Sequence, residues 1–396
     1  MDQARQPEAM DRCKAILADL VAFPTVSSAS NLDIITYLSG ALDAAGARFW
    51  TEPDATGQKA NLVATIGPDR PGGVVLSGHT DVVPVEDQPW SSDPFALVER
   101  RGRLYGRGTC DMKGFVAACI AMAPRFAKAE LRVPVHFAFT YDEEIGCFGA
   151  QALVASLAAR GIEPAAAIVG EPTMMQPVDG HKGCYEYTTW VTGLEGHGSA
   201  PAKGVNAVEY AARLVMELVR LRSALRTRAP KDCPFDPPYS TINMGALTGG
   251  HAHNVIPGKA RIDWEMRPVQ ASDADFVKAG LARLIDGELL PEMRAAFPEA
   301  QIETETVAEV AGLERRPRNA ARDLVMALTG VNGAGLVPFG TEAGLFQSIG
   351  IPSVICGPGA IDQAHKPDEY LSLQQLAQCL QMLERLADRL AQGQIT

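Results

Sequence analysis

The amino-acid sequence predicts an α/β fold, a mostly parallel sheet covered by helices, with an α+β unit inserted into it. Three observations lead there. Short apolar runs rich in Val and Ile alternate with helix-length segments, which is how strands buried on both faces of a parallel sheet read. Between about Lys182 and about Val310 the order becomes strand, helix, two strands, helix and strand, a βαββαβ series able to close a small core of its own. At 396 residues the chain is also too long for one ordinary core, so two domains are expected. The expected division is residues 1–181 with 311–396 for the first domain and 182–310 for the second.

In the first domain the clearest strands are "GGVVLSGH" (72–79), "VPVHFAFTY" (133–141), "AAAIVGE" (165–171) and "IPSVICGPG" (351–359). The helical stretches "GFVAACIAMAPRFAK" (114–128) and "GAQALVASLAARG" (149–161) lie between them, the second ended by Gly161 at the usual C-cap position. In the insert, "YEYTTWVTG", "STINMGALTGG", "GKARIDWEMRP" and "AQIETETV" read as strands. "NAVEYAARLVMELVRLRSAL" and "DADFVKAGLARLIDGELL" read as helices, and the proline-rich "APKDCPFDPPY" (229–239) as a loop. After about Arg315 the chain returns to the first domain.

A formal net charge of −11 argues against nucleic acid or an anionic membrane as partner, since both call for basic patches. The N-terminus "MDQARQPEAMDRCK" is polar and lacks the pattern of an export signal, and no apolar run is long enough to cross a bilayer. Eight scattered cysteines with no CxxC pair suit reduced thiols, so a cytoplasmic protein is expected.

The informative residues are the acids and histidines that stand where an apolar strand stops. "SGHTDVVP" supplies His79 and Asp81, "GRGTCDMKG" supplies Asp111, "YDEEIG" supplies Glu143 and Glu144, "VGEPT" supplies Glu171 and "QAHKPDEY" supplies His365. Taken singly, each has a plainer reading: a core histidine, a helix N-cap at Asp111, a turn residue before Pro172, a surface loop at His365. Taken together they are what a two-metal hydrolase needs, because ligands collect beyond the carboxyl ends of the strands of an open α/β sheet. Zinc accepts imidazole nitrogen and carboxylate oxygen, and two ions about 3.5–4 Å apart can share one carboxylate. Five protein ligands then suffice. Asp81, two residues beyond His79 on the same face of an extended chain, is suited to take the free imidazole N–H. Of the neighbours Glu143 and Glu144, one can bind metal and the other act as general base.

At these residues, and along "GHTDVVP", "YGRGTCDMKG", "DEEIG", "GEPT", "HKG", "GHGSAPAKGVNAVE", "NVIPGKARIDWEMRP" and "GPGAIDQAHKPDEYL", the sequence resembles a family of co-catalytic zinc aminoacylases and exopeptidases. The family includes acetylornithine deacetylases, succinyl-diaminopimelate desuccinylases and glutamate-releasing carboxypeptidases. The resemblance runs nearly end to end and implies a zinc-exopeptidase-like catalytic domain with a ferredoxin-like lid and dimerisation domain. It implies that His79, Asp111 and Glu171 hold one zinc ion and Asp111, Glu144 and His365 the other, with cobalt able to substitute. Glu143 is then the general base and Asp81 the partner behind His79. His197 in "GHGSAP" is implied to reach the partner subunit's site of a homodimer and stabilise the oxyanion, although Gly198 stands where relatives often carry serine. Asn254 and Arg267 match lid positions that contact substrate.

Within the family the sequence resembles most the acetylornithine deacetylase branch, through "GTCDMKG", "EPTMMQPV" with "HKG", and "GTEAG" followed by "GPGAIDQAHKPDEYL". Where desuccinylases carry an arginine-bearing stretch, "FGTEAGLF" (339–346) offers Glu342, which is expected to face a substrate ammonium such as the side-chain amine of ornithine. The implied reaction is hydrolysis of an N-acyl amino acid, with small-molecule substrates only. Two rivals fare worse. The glycines of "GRLYGRG" do not fit a dinucleotide-binding GxGxxG, and the complete ligand set speaks against a non-catalytic scaffold.

Overall fold

The computed structural model describes residues 5–395, so the first four residues of the polar N-terminus and the last residue of the chain lie outside the described residues. The chain divides into two compact units. One comprises the chain up to Gly180, Arg315–Val337 and the residues from Thr341 onward, and the other His181–Glu314 with Pro338–Gly340.

The first unit is built on an eight-stranded sheet. From edge to edge its strands are Arg48–Pro53, Ala60–Ile66, Val135–Thr140, Val74–His79, Ala166–Pro172, Ser353–Gly357, Val178–His181 and Gly335–Val337. The four consecutive strands from Val135–Thr140 to Ser353–Gly357 run parallel, and every residue in them is buried. These are the four strands that the sequence marks most clearly, because a strand covered on both faces reads as an unbroken apolar run. The sheet is mixed towards its edges: Ala60–Ile66 pairs antiparallel with both Val135–Thr140 and Arg48–Pro53. Arg48–Pro53 keeps four residues exposed, so "RFWTEP" carries little strand signal. Helix Lys113–Lys128 is buried along nearly its whole length and packs with Arg5–Val21 and Leu373–Gln392 into the main core. No helix among the described residues is long and apolar enough to cross a membrane.

The parallel strands approach closely at two glycines. A Cβ on Gly357 would lie 1.9 Å from the Gly170 carbonyl oxygen, and one on Gly170 would lie 2.0 Å from the Phe115 ring. Backbone cannot yield as a flexible side chain can, so Gly357→Ala is expected to cost roughly 3 kcal/mol. Gly40, exposed in helix Leu32–Ala44 with nothing within 4 Å of where a methyl group would sit, is the control. Gly40→Ala is expected to stabilise by about 0.5–1 kcal/mol. Thermal unfolding of the two variants checks both signs.

A buried histidine makes this unit acid-sensitive. His136 accepts or donates to Thr65 Oγ1 at 2.9 Å, and desolvation, aided by Arg48, pushes its imidazole down to about 4. The ordinary imidazole value is 6.5, so between pH 6.5 and 4 the unfolded chain binds more protons than the native one. This contribution is complete above pH 6.5 and is lost as the pH falls through that window. At pH 5 the loss is about 2 kcal/mol. His136→Gln is expected to flatten that part of the acid slope in urea unfolding at pH 7 and pH 5.

The second unit has a four-stranded antiparallel sheet in the order Thr241–Gly249, Lys259–Arg267, Cys184–Thr192, Gln301–Val310, which is the βαββαβ arrangement. Here one face is covered and the other is not, so Lys259–Arg267 alternates between buried and less buried residues. Helix Ala207–Thr227 starts where the Asn206 side chain accepts from the N–H groups of Val208 and Glu209. It packs with Ala271–Leu284 over a core in which Tyr187 and Trp264 stack at 4.4 Å.

Candidate metal centre

Sheet order explains why residues so distant in sequence meet. The four parallel strands are immediate neighbours, about 4.8 Å apart, with their carboxyl ends at one edge of the sheet. His79 ends its strand and is registered with Thr140, and Glu143 and Glu144 follow that partner after a turn. Glu171 lies in the next strand, whose Pro172 is registered with Gly357, and the chain beyond Gly357 leads through the short helix Ile361–Gln363 to His365. Asp111 stands just ahead of helix Lys113–Lys128.

Asp111 lies between the two histidines. Its Oδ1 is 3.0 Å from His79 Nε2, and its Oδ2 is 3.4 Å from His365 Nε2. Glu171 Oε1 lies 3.6 Å from His79 Nε2, whereas Glu144 Oε2 lies 3.0 Å from His365 Nε2. In two sets, one ligand atom from each residue lies within 4.8 Å of those of the others: His79, Asp111 and Glu144, and His79, Glu143 and Glu171. Glu143 therefore sits on the His79–Glu171 side and Glu144 on the His365 side. His365 itself has a φ of +61°, costly for a residue with a Cβ and the kind of strain that persists where contacts over-determine a site.

The electrostatics call for cations. Burial, followed by the neighbouring carboxylates, pushes Glu171 well above the ordinary range and Glu144 to about 7. Burial also raises Glu143, against the pull of His79. Burial pulls His79 down, but Asp111 and Asp81 raise it above the ordinary imidazole value, and hydrogen bonds to Asp111 and Glu144 push His365 up to about 10. Glu171 Oε1 is buried without a hydrogen-bond partner among the described residues. A packed group of acids with an orphaned oxygen and two imidazoles is a donor set that fits divalent ions, whose charge would favour every carboxylate in its ionised form.

Asp81 corrects one expectation. The nearer acceptor for His79 Nδ1 is the Asp81 main-chain oxygen, at 2.9 Å, with the carboxylate at 3.6 Å. The carboxylate instead accepts from Ser27 Oγ at 2.7 Å and from the N–H groups of Glu143 and Glu144 at 3.1 and 3.3 Å. One residue thus orients the imidazole through its carbonyl and ties down the acid run through its side chain. The third acid of that run, Asp142, has a φ of +55° and pairs with Lys59 Nζ at 2.5 Å. Sequence reasoning missed Lys59 and Ser27. Lys59 lies 83 residues from its partner, and nothing local marks either residue.

Glu342 requires a second correction. It is fully buried, accepts from Ser77 Oγ at 2.9 Å and from Thr140 Oγ1, and so has no face left for a substrate ammonium. Its two hydroxyl partners belong to adjacent parallel strands, which makes it a clamp inside the sheet.

Three expected site residues belong to the second unit. His197 is exposed on the ribbon that pairs Gly196–His197 with Val255–Ile256, and its Nδ1 lies 2.7 Å from Ser199 Oγ. A Cβ at Gly198 would meet the Asn254 backbone at 3.0 Å, so the glycine lets the two segments approach closely. Asn254 accepts the Gly198 N–H through its carbonyl at 2.7 Å. Arg267 pairs with Glu265 at 2.7 Å.

Comparison with known proteins gives a family and a fold. The model of peptidase family M20/M25/M40 matches residues 75–389. An acetylornithine deacetylase of Shigella sonnei (strain Ss046) is 35% identical over 359 residues, covering 89% of this chain and 91% of that protein. Among solved structures, an M20 family metallo-carboxypeptidase from Sulfolobus solfataricus superposes with a TM-score of 0.72 at 17% identity, over 96% of this chain and 99% of that one. A dinuclear metal binding peptidase from Bacillus subtilis gives 0.63 at 18% identity, over 98% and 99%. At such identities the two structures speak for the fold alone.

Proposed function

Because the chain belongs to peptidase family M20/M25/M40, we propose that this metallohydrolase removes the acetyl group from an N-acyl amino acid, with N2-acetyl-L-ornithine as substrate and acetate and L-ornithine as products. The carrying observation is Asp111, whose two oxygens face His79 and His365 respectively, with Glu143 beside them. The relative that is 35% identical supports the choice of substrate.

His79 and Glu171 would hold one zinc ion, Glu144 and His365 the other, and Asp111 both, with cobalt able to substitute. When bound, such a pair supplies an acidified water and an electrophilic seat for the acyl oxygen. Glu143 takes the proton of the attacking water as its oxygen bonds to the acyl carbon. It then delivers that proton to the amine nitrogen as the C–N bond breaks. Asp81 keeps the Glu143–Glu144 turn and the His79 ring in place. The second unit serves as lid and dimerisation domain of a homodimer. His197 of one subunit steadies the oxyanion in the other, and Asn254 and Arg267 contact the substrate, Arg267 as a fork suited to a carboxylate. The edge strand Thr241–Gly249, paired on one side only, and the exposed Leu247 on it support that role.

The burial of Glu342 removes the one contact that the sequence offered for the ornithine amine, and this favours testing a second reading. That reading is the same chemistry on N-acetylcitrulline, N-succinyl-diaminopimelate or a small peptide. A hydrolysis panel of these compounds with N-acetylornithine, run with zinc or cobalt supplied, is expected to give N-acetylornithine a kcat/KM at least about tenfold above the rest. A different winner overturns the substrate, and no hydrolysis of any overturns the reaction.

A further inference from the structure

Arg107 and Glu369 form an ion pair at 2.8 Å, each only 1% exposed, in the layer beneath the metal ligands. The partners of each are specific. Glu369 Oε1 accepts the N–H groups of Cys110 and Asp111 at 2.8 and 3.1 Å, and Oε2 accepts the Gly108 N–H at 3.0 Å. Its carboxylate therefore shapes the turn that presents Asp111. The Arg107 guanidinium donates to the carbonyls of Lys366 and Pro84, each at 3.3 Å, and to Gln88 Oε1 at 2.6 Å. Gln88 in turn donates to the His365 carbonyl at 3.2 Å. The loops so joined are the one that follows His79 and Asp81, the one that carries Asp111, and the one that carries His365. Glu369 lies four residues beyond His365, so one short segment supplies both a metal-ligating side chain and the clamp on the Asp111 turn.

We propose that the Arg107–Glu369 pair is a positioning pair that sets the separation of the two ion positions, by fixing the Asp111 turn against the His365 loop. This rests on the two-metal reading above. An ion pair buried merely for stability gains little over apolar residues of the same volume. This one differs in that every oxygen and both terminal nitrogens of the pair are spent on the backbone or side chains of ligand-bearing loops. A glutamine at 369 would set an NH2 against main-chain N–H groups, so the Asp111 turn must shift, and Asp111 faces both histidines.

The test is metal binding by the full-length apo-protein, titrated with Zn2+ by calorimetry and with Co2+ by visible absorption. Glu369→Gln is expected to weaken both ions by about 10- to 100-fold, the range seen when an outer partner of a metal ligand is lost. The Co2+ spectrum should change, and kcat should fall more than KM rises. Gln88→Ala, a milder change that removes the His365 tether and one acceptor of the Arg107 guanidinium while leaving Glu369 on the Asp111 turn, is expected to weaken one ion more than the other, and it stands in should Glu369→Gln fail to fold. Leu38→Ala, a cavity in the core away from these loops, controls for lost stability and should leave both affinities unchanged. Wild-type affinities and Co2+ spectrum in Glu369→Gln, or unchanged affinities in Gln88→Ala, overturn the positioning role alone. A wild-type chain that takes up no pair of ions overturns the metal reading and the clamp with it.

Discussion

Glu143→Ala is expected to retain both ions and to lose turnover, with kcat down by about a hundred- to ten-thousandfold, the usual worth of a positioned proton carrier. The two quantities must be measured together, because Glu143 stands close enough to His79 and Glu171, with donor atoms within 4.8 Å, to be a ligand in its own right. Metal analysis of the dialysed variant separates the roles. Full metal content with lost kcat marks a base, and a missing ion marks a ligand and would overturn the assignment. The local structure favours the first outcome. Asp81 fixes the N–H groups of both Glu143 and Glu144, yet only Glu144 touches His365.

Asp111→Ala is expected to have the largest effect on metal. Each oxygen of Asp111 faces a different histidine, so its loss should weaken both ions by more than about a hundredfold, beyond the cost of losing an outer partner. Glu171→Ala and His365→Ala should each weaken chiefly one ion, since Glu171 neighbours His79 whereas Glu144 neighbours His365. Ions bound per chain after dialysis, followed by Zn2+ titration, check the pattern. Loss of a single ion in Asp111→Ala would show that this residue does not bridge.

The contrast among the three acids of the "DEE" run shows how far local sequence reaches. Their position at the end of a buried strand was legible, because an apolar run that stops at a charged turn is visible in a single window. That Asp142 pairs with Lys59, with a left-handed backbone, was not. Glu342 failed in the opposite direction. Read as an acid in a loop it suited a substrate amine, but two hydroxyls from strands more than 200 residues away in sequence enclose it.

Sequence by itself determined the four central parallel strands and the residue types that end them. Burial on both faces writes itself as an unbroken apolar run, one-sided burial as alternation, and both are properties of neighbouring residues. Tertiary structure alone decided the partners: the carbonyl rather than the carboxylate of Asp81 for His79, the interior for Glu342, and the Arg107–Glu369 pair beneath the Asp111 turn. The physical reason is that hydrogen bonds and ion pairs act over about 3 Å in space, and which groups come within that reach depends on how strands order themselves in the sheet. Parallel strands whose order differs from their sequence order bring together the ends of segments that no local window contains.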